Sequence, residues 1–231
     1  MVESIVSTLR DTSQLDDTYV IYSSDNGFHM GQHRLIAGKD TPYDEDIRVP
    51  MVMRGPGVPV GERIEAMVGN IDLAPTIAEI ARVETPDFVD GRSFLPLLQD
   101  SDQPWREAYL IERRRLEEQL VRQSKYTDLT PDELDRTAVF NGIRAPDSLY
   151  VEYGTGEREL YDLQADPFQL ANRIDDADPA FLAVLEERLA ALGTCTADEC
   201  RRLEDLPLPE PRALPATDLL ATAKDAGIHV D

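Results

Sequence analysis

The chain has 231 residues, 45 of them acidic and 23 basic, so its formal charge is −22, an excess that argues against nucleic acid and anionic membrane surfaces as partners, since both demand clustered Lys and Arg. Apolar residues make up 42% and charged residues 29%, enough for a packed core in one large domain or two small ones and against wholesale disorder. No apolar run approaches the roughly 18 to 20 residues that span a bilayer, and MVESIVSTLRD lacks the basic flank and apolar stretch of a signal peptide, so the chain as given reads as soluble and cytoplasmic, or as secreted or periplasmic if a segment precedes it.

From Val2 to Leu15, the residues Ile5, Val6, Leu9 and Leu15 share one helical face, which predicts a helix. Asp16-Asp17 breaks it. Tyr19-Val20-Ile21-Tyr22 is a short β-branched and aromatic run, read as a buried, parallel strand, and it ends in Ser23-Ser24-Asp25-Asn26-Gly27. In open α/β sheets ligands gather at such strand ends. Residues 28–48 have no sustained period and predict a long loop, of the length that carries function. Val49 to Met53 reads as a second strand, closed by Gly55-Pro56-Gly57. Asp72 to Ala81, with an acidic cap candidate and an early proline, predicts a helix. Ser101 to Pro104 reads as a linker.

Beyond it, Ala108 to Ile111, Ala138 to Arg144, Ser148 to Tyr153 and Glu159 to Leu163 are four strand candidates, and Gly154-Thr155-Gly156 is a hairpin turn. They predict an antiparallel meander. Asp178 to Leu192 should form a helix that covers it, through Phe181, Leu182, Val184, Leu185, Leu189 and Leu192. Residues 113–136 read as a charged, mobile insertion, with Arg113-Arg114-Arg115 on a solvated face. The proline-rich stretch 203–231 reads as an extended tail. The expected division is therefore 1–104, 105–202 and 203–231.

Asp25 and Asn26 offer a carboxylate and an amide carbonyl side by side, the ligand type of hard cations such as Ca2+ or Mg2+. A simple Asp-Asn-Gly turn is the competing reading. Two oxygens are also too few for calcium, which takes roughly six to eight. Downstream, His29, His33, Arg34 and Lys39 form a cationic cluster in a chain poor in basic residues. Beside a metal, such groups can clamp a sulfate or phosphate ester and stabilise charge on the leaving oxygen. Each histidine could equally pack the loop, and Lys39 could be solvated.

The run Tyr22 to His33, followed by Gly38-Lys39, Tyr43-Asp44-Glu45, Ile47-Arg48-Val49-Pro50 and Arg54-Gly55-Pro56-Gly57, closely resembles the latter half of the sulfatase catalytic domain. The resemblance continues through Asn70 to Thr76, Asp90-Gly91-Arg92-Ser93, Glu159 to Leu163, Asp166-Pro167 and Asn172. It implies an α/β fold comprising part of an alkaline-phosphatase-like sheet with helices, followed by a small α+β subdomain with an antiparallel sheet. It also implies hydrolysis of sulfate ester substrates with a calcium ion, Mg2+ or Mn2+ being alternatives. By position, Asp25 and Asn26 match metal ligands, and Lys39 matches the lysine that contacts sulfate and assists the leaving group. His29 and His33 lie where many members carry a histidine and are further catalytic candidates. The family nucleophile, a formylglycine made from Cys or Ser in a Cys/Ser-x-Pro-x-Arg motif, has no counterpart here. Neither do the segments that bring the family's other acidic ligands.

The chain thus reads as the C-terminal portion of a sulfatase-like enzyme, with a partial coordination shell. Its uncovered sheet edge invites the missing N-terminal half or self-association. A phosphonate or phosphate ester hydrolase of the same superfamily is the near alternative, and a non-catalytic binding module the distant one. For Cys195 and Cys200 the resemblance implies a small disulfide loop in some members. Two reduced thiols are the other reading.

Overall fold

A computed structural model describes residues 1–114 and 139–209. Of the expected insertion 113–136, all but residues 113 and 114 lies outside the described residues, as do residues 137–138 and the tail from 210 onward. Helix α1 (Val2–Asp11) forms where the helical apolar spacing predicts it, and a short 3-10 turn, Leu15–Asp17, follows. Arg54 Nη1 reaches back to the Leu15 carbonyl at 2.9 Å.

Strand β1 (Val20–Tyr22) pairs with β2 (Val52–Arg54), Val20 opposite Arg54 and Tyr22 opposite Val52. The pairing is antiparallel, which corrects the expected parallel strand. The strand is also not sealed, since Tyr22 and Val52 are exposed. A three-residue apolar run signals a capacity for burial but carries no information about its partner's direction. Helix α3 (Leu73–Ile80), which follows the short helix α2 (Asp44–Ile47), buries Pro75 and Thr76, and the Thr76 hydroxyl donates to the Asp72 carbonyl at 2.6 Å.

The meander is present as β3 (Tyr109–Arg113), β4 (Phe140–Arg144), β5 (Ser148–Tyr153) and β6 (Arg158–Asp162), antiparallel and in chain order. Gly156 at φ +91° supplies the left-handed residue of the β5–β6 turn, which suits glycine because it has no Cβ to clash. Alternation divides the sheet into two faces. One carries Ile143, Tyr150 and Leu160 and packs under α4 (Pro179–Leu192) through Phe181, Leu185, Leu189 and Leu192. Asp178 caps that helix by accepting from the Ala180 N–H at 2.8 Å, with Pro179 in its first turn. The other face carries Phe140, Leu149, Val151 and Tyr161, and Tyr43 of the long loop packs on it.

A buried charged network joins the chain's distant parts. Arg106 and Asp72, both fully buried, pair through two bonds of 2.6 and 2.9 Å, and Arg106 Nε also meets Glu204 at 3.1 Å. Burial pushes the Glu204 carboxyl above its ordinary range despite Arg106 and Arg92 beside it. Glu204 lies in α5 (Asp198–Asp205), so the expected extended tail begins as the end of a helix. A disulfide links Cys195 to Cys200, tying the end of α4 to α5.

Candidate functional site

The turn after β1 is held from three sides. Within it, the Ser24 hydroxyl donates to the Asn26 carbonyl at 2.9 Å, and Asn26 Nδ2 to the Gly27 carbonyl at 2.7 Å. From the 3-10 turn before α3, Asn70 Nδ2 donates to the carbonyls of Ser24 and Asp25 at 3.1 and 3.2 Å. From α2, the Asp46 carbonyl accepts from the Gly27 N–H at 2.7 Å. Only glycine can sit at position 27, since a Cβ there would collide with the Glu45 carbonyl. The Asp25 side chain is left exposed.

The loop returns on itself through a two-bond bridge between His29 and Gly38, with N–O distances of 2.9 and 3.0 Å. That folds Lys39 back to the turn. Its ammonium donates to Asn26 Oδ1 at 2.7 Å, across thirteen residues of chain. Asn26 and Lys39 are therefore brought together by this bond, and Asp25 is the chain neighbour of Asn26. His33, Arg34 and Asp40 of the same loop have φ of +53°, +60° and +85°, a conformation that costs non-glycine residues free energy and that collects at functional sites.

The two histidines stand differently. His29 is 4% exposed, with Nδ1 at 2.9 and 3.0 Å from the two Asp46 oxygens and Nε2 at 2.9 Å from the Ile36 carbonyl. Neither ring nitrogen is open to a substrate in this arrangement, so His29 braces the loop. Nothing in the sequence distinguished a brace from a catalyst. His33 stacks on Tyr43, centroids 3.7 Å apart, with Nε2 3.5 Å from Glu45 Oε2. Its Nε2 is buried and without a hydrogen-bond partner.

The loop rests on the second sheet. Asp40 pairs with Arg113 at 3.0 Å, Asp44 forms a forked pair with Arg144 at 3.0 and 3.1 Å, and the Tyr43 hydroxyl donates to Glu159 at 3.3 Å. Gln169 Oε1 accepts from the Asp44 N–H at 2.8 Å. Arg113, Arg144 and Glu159 project from one face because alternate strand residues do. Burial, then the nearby Glu159 charge, raises the Tyr43 hydroxyl above its ordinary range, so it stays a donor. Gly27 and Asn70 were quoted from the sequence without a role, in the turn after β1 and at the head of the Asn70 to Thr76 stretch, and Asp46 falls between the quoted stretches Tyr43-Asp44-Glu45 and Ile47 to Pro50.

A hard cation fits Asp25 and Asn26 in kind, one carboxylate and one amide oxygen beside a cation-tolerant exposed turn. It does not fit in number. Among the described residues no three or more His, Cys, Asp or Glu side chains are grouped to hold a metal. An open groove of about 580 Å³ between α3 and α5 is lined by Glu79, Arg82, Arg92 and Arg201, and by none of Asp25, Asn26 and Lys39. Among the described residues no helix is long and apolar enough to cross a membrane.

Comparison with known proteins gives a consistent result. The family model described as Sulfatase matches residues 1–83. The N-acetylglucosamine-6-sulfatase of Homo sapiens is 34% identical over 221 residues, covering 87% of this chain and 40% of that protein. The chain therefore spans about two fifths of that relative's length. Among solved structures, BT4656 in complex with its substrate D-glucosamine-2-N,6-O-disulfate superposes with a TM-score of 0.65 at 26% identity, covering 83% of this chain and 36% of that one. The phosphonate monoester hydrolase of Agrobacterium radiobacter gives 0.67 at 27% identity, covering 83% and 37%.

Proposed function

We propose, because this chain belongs to the sulfatase family and matches its C-terminal portion, that Asp25, Asn26 and Lys39 are its contribution to a sulfate ester hydrolase site. Family members are sulfuric ester hydrolases, and the structural neighbours have the expected alkaline-phosphatase-like α/β fold. The observation that carries the proposal is the 2.7 Å bond from Lys39 to Asn26. It supports an ammonium held beside the turn that carries Asp25 and Asn26, where its remaining N–H groups can donate to an anion.

In this reading the Lys39 ammonium binds an ester oxygen through charge and hydrogen bonds, and can give its proton to the departing oxygen. Asp25 and Asn26 would hold a divalent cation, Ca2+ or its alternatives Mg2+ and Mn2+, which when bound supplies positive charge for the anion. His33 is kept as a further catalytic candidate, its Nε2 making no hydrogen bond and lying 3.5 Å from Glu45 Oε2. His29 serves as the brace. Formylglycine does not fit this chain, since neither cysteine lies in the required motif and both are in a disulfide.

The test is calorimetric titration of Ca2+ and of sulfate into the chain and its variants. With two donors, the wild type should bind Ca2+ no tighter than about 1 mM, and Asp25→Ala should abolish the signal. Unchanged binding by that variant would overturn the assignment. A second reading, a phosphonate or phosphate ester hydrolase, is favoured by the likeness to the phosphonate monoester hydrolase. Competition between sulfate and methylphosphonate at the same site separates the two. A third reading, a binding module, predicts anion binding by the chain without turnover of an aryl sulfate.

A further inference from the structure

We propose that Asp46 is the positioning residue that sets the distance between Lys39 and Asn26. The inference rests on the reading of those two residues as one site, and it concerns how the fold brings them together. Asp46 is 4% exposed, and its carboxylate takes bonds from both sides of Lys39. On the N-terminal side it meets His29 Nδ1 at 2.9 and 3.0 Å. On the C-terminal side its Oδ2 accepts from the Thr41 N–H at 2.8 Å and the Thr41 hydroxyl at 2.6 Å.

The same residue's carbonyl holds Gly27, the neighbour of Asn26, at 2.7 Å. Residues 27, 29 and 41 are therefore referred to a single point. Lys39 lies between the second and third, and Asn26 borders the first. The point itself is fixed, because α2 begins at Asp44, whose carboxylate is forked to Arg144 and whose N–H is bound by Gln169. Lys39 and Asn26 are both in loops, where a side chain with four rotatable bonds samples many positions unless its backbone is pinned. Asp46 supplies that pin without touching either side chain.

The chain contains three lysines, Lys39, Lys125 and Lys224, so labelling with ε-15N lysine gives three ammonium signals, and Lys39→Arg identifies the relevant one. In the wild type, proton exchange at Lys39 should be slowed at least about tenfold relative to a solvated lysine by its bond to Asn26. In Asp46→Asn, with the far-ultraviolet dichroism retained, that protection should collapse. Thr41→Val, which removes only the hydroxyl arm, should lose part of it. Should Asp46→Asn fail to fold, Thr41→Val and His29→Gln carry the test in its place. Protection that survives these substitutions while the melting temperature falls would make Asp46 a stability residue only and overturn the positioning role. A wild type whose Lys39 exchanges like a solvated lysine would instead overturn the site reading on which the proposal stands.

Discussion

At Lys39 the side chain is exposed and bonded to one amide oxygen, so its worth lies in the site rather than in the fold. Lys39→Met should change unfolding free energy by no more than about 0.5 kcal/mol, while removing sulfate binding in an anion titration. Gly27 predicts the opposite balance. Gly27→Ala drives a methyl into the Glu45 carbonyl and should cost about 1 to 3 kcal/mol in urea denaturation, with Ca2+ binding lost alongside. These residues also mark what the sequence can tell. Asp25 and Asn26 stood out because a turn signal follows a strand, and Lys39 because it belongs to a cationic cluster in a chain poor in basic residues. Asp46 is one acid among 45 acidic residues, and its importance lies in bonds to side-chain and backbone atoms of other segments, which no residue pattern encodes. His29 shows the converse, since its type suggests chemistry while its ring nitrogens lie against Asp46 and the Ile36 carbonyl.

Among the elements, the meander and its covering helix were readable because alternation, a Gly-Thr-Gly turn and a capped apolar helix agree with one another. The β1–β2 pair was not, because its strands are too short to show a period and direction is set by the chain between them. Energetically the parts rest on different terms. Leu185 of α4 is fully buried against the sheet, and Leu185→Ala should cost about 2 to 5 kcal/mol in chemical denaturation. Arg106 is a charge in the interior. Arg106→Met leaves Asp72 buried without its counter-ion and should cost about 3 to 5 kcal/mol. Adding Asp72→Leu to it should return part of that loss, measured as a non-additive double-mutant cycle.

For the whole molecule, burial raises the hydroxyls of Tyr43, Tyr109, Tyr150, Tyr153 and Tyr161, Tyr109 to about 12. In the unfolded chain each ionises near its ordinary value of about 10. A raised folded value means the stabilising contribution is complete below pH 10 and is lost as pH climbs through the folded value, so stability should fall from about pH 10 upward. Absorbance at 295 nm should then rise in step with unfolding, and Tyr109→Phe should move the alkaline midpoint upward. The joining of the early part of the chain to the later meander was not legible, because Arg106, Asp72 and Glu204 lie far apart in the chain. The docking of the loop on one face of the second sheet carries a consequence for insertions. Strand residues obey parity, so adding a single residue inside β4 ahead of Arg144 would swing its guanidinium to the helix side and release Asp44, whereas adding two would restore it. Odd and even changes of length in that strand should therefore differ sharply in what they do to a loop more than ninety positions upstream.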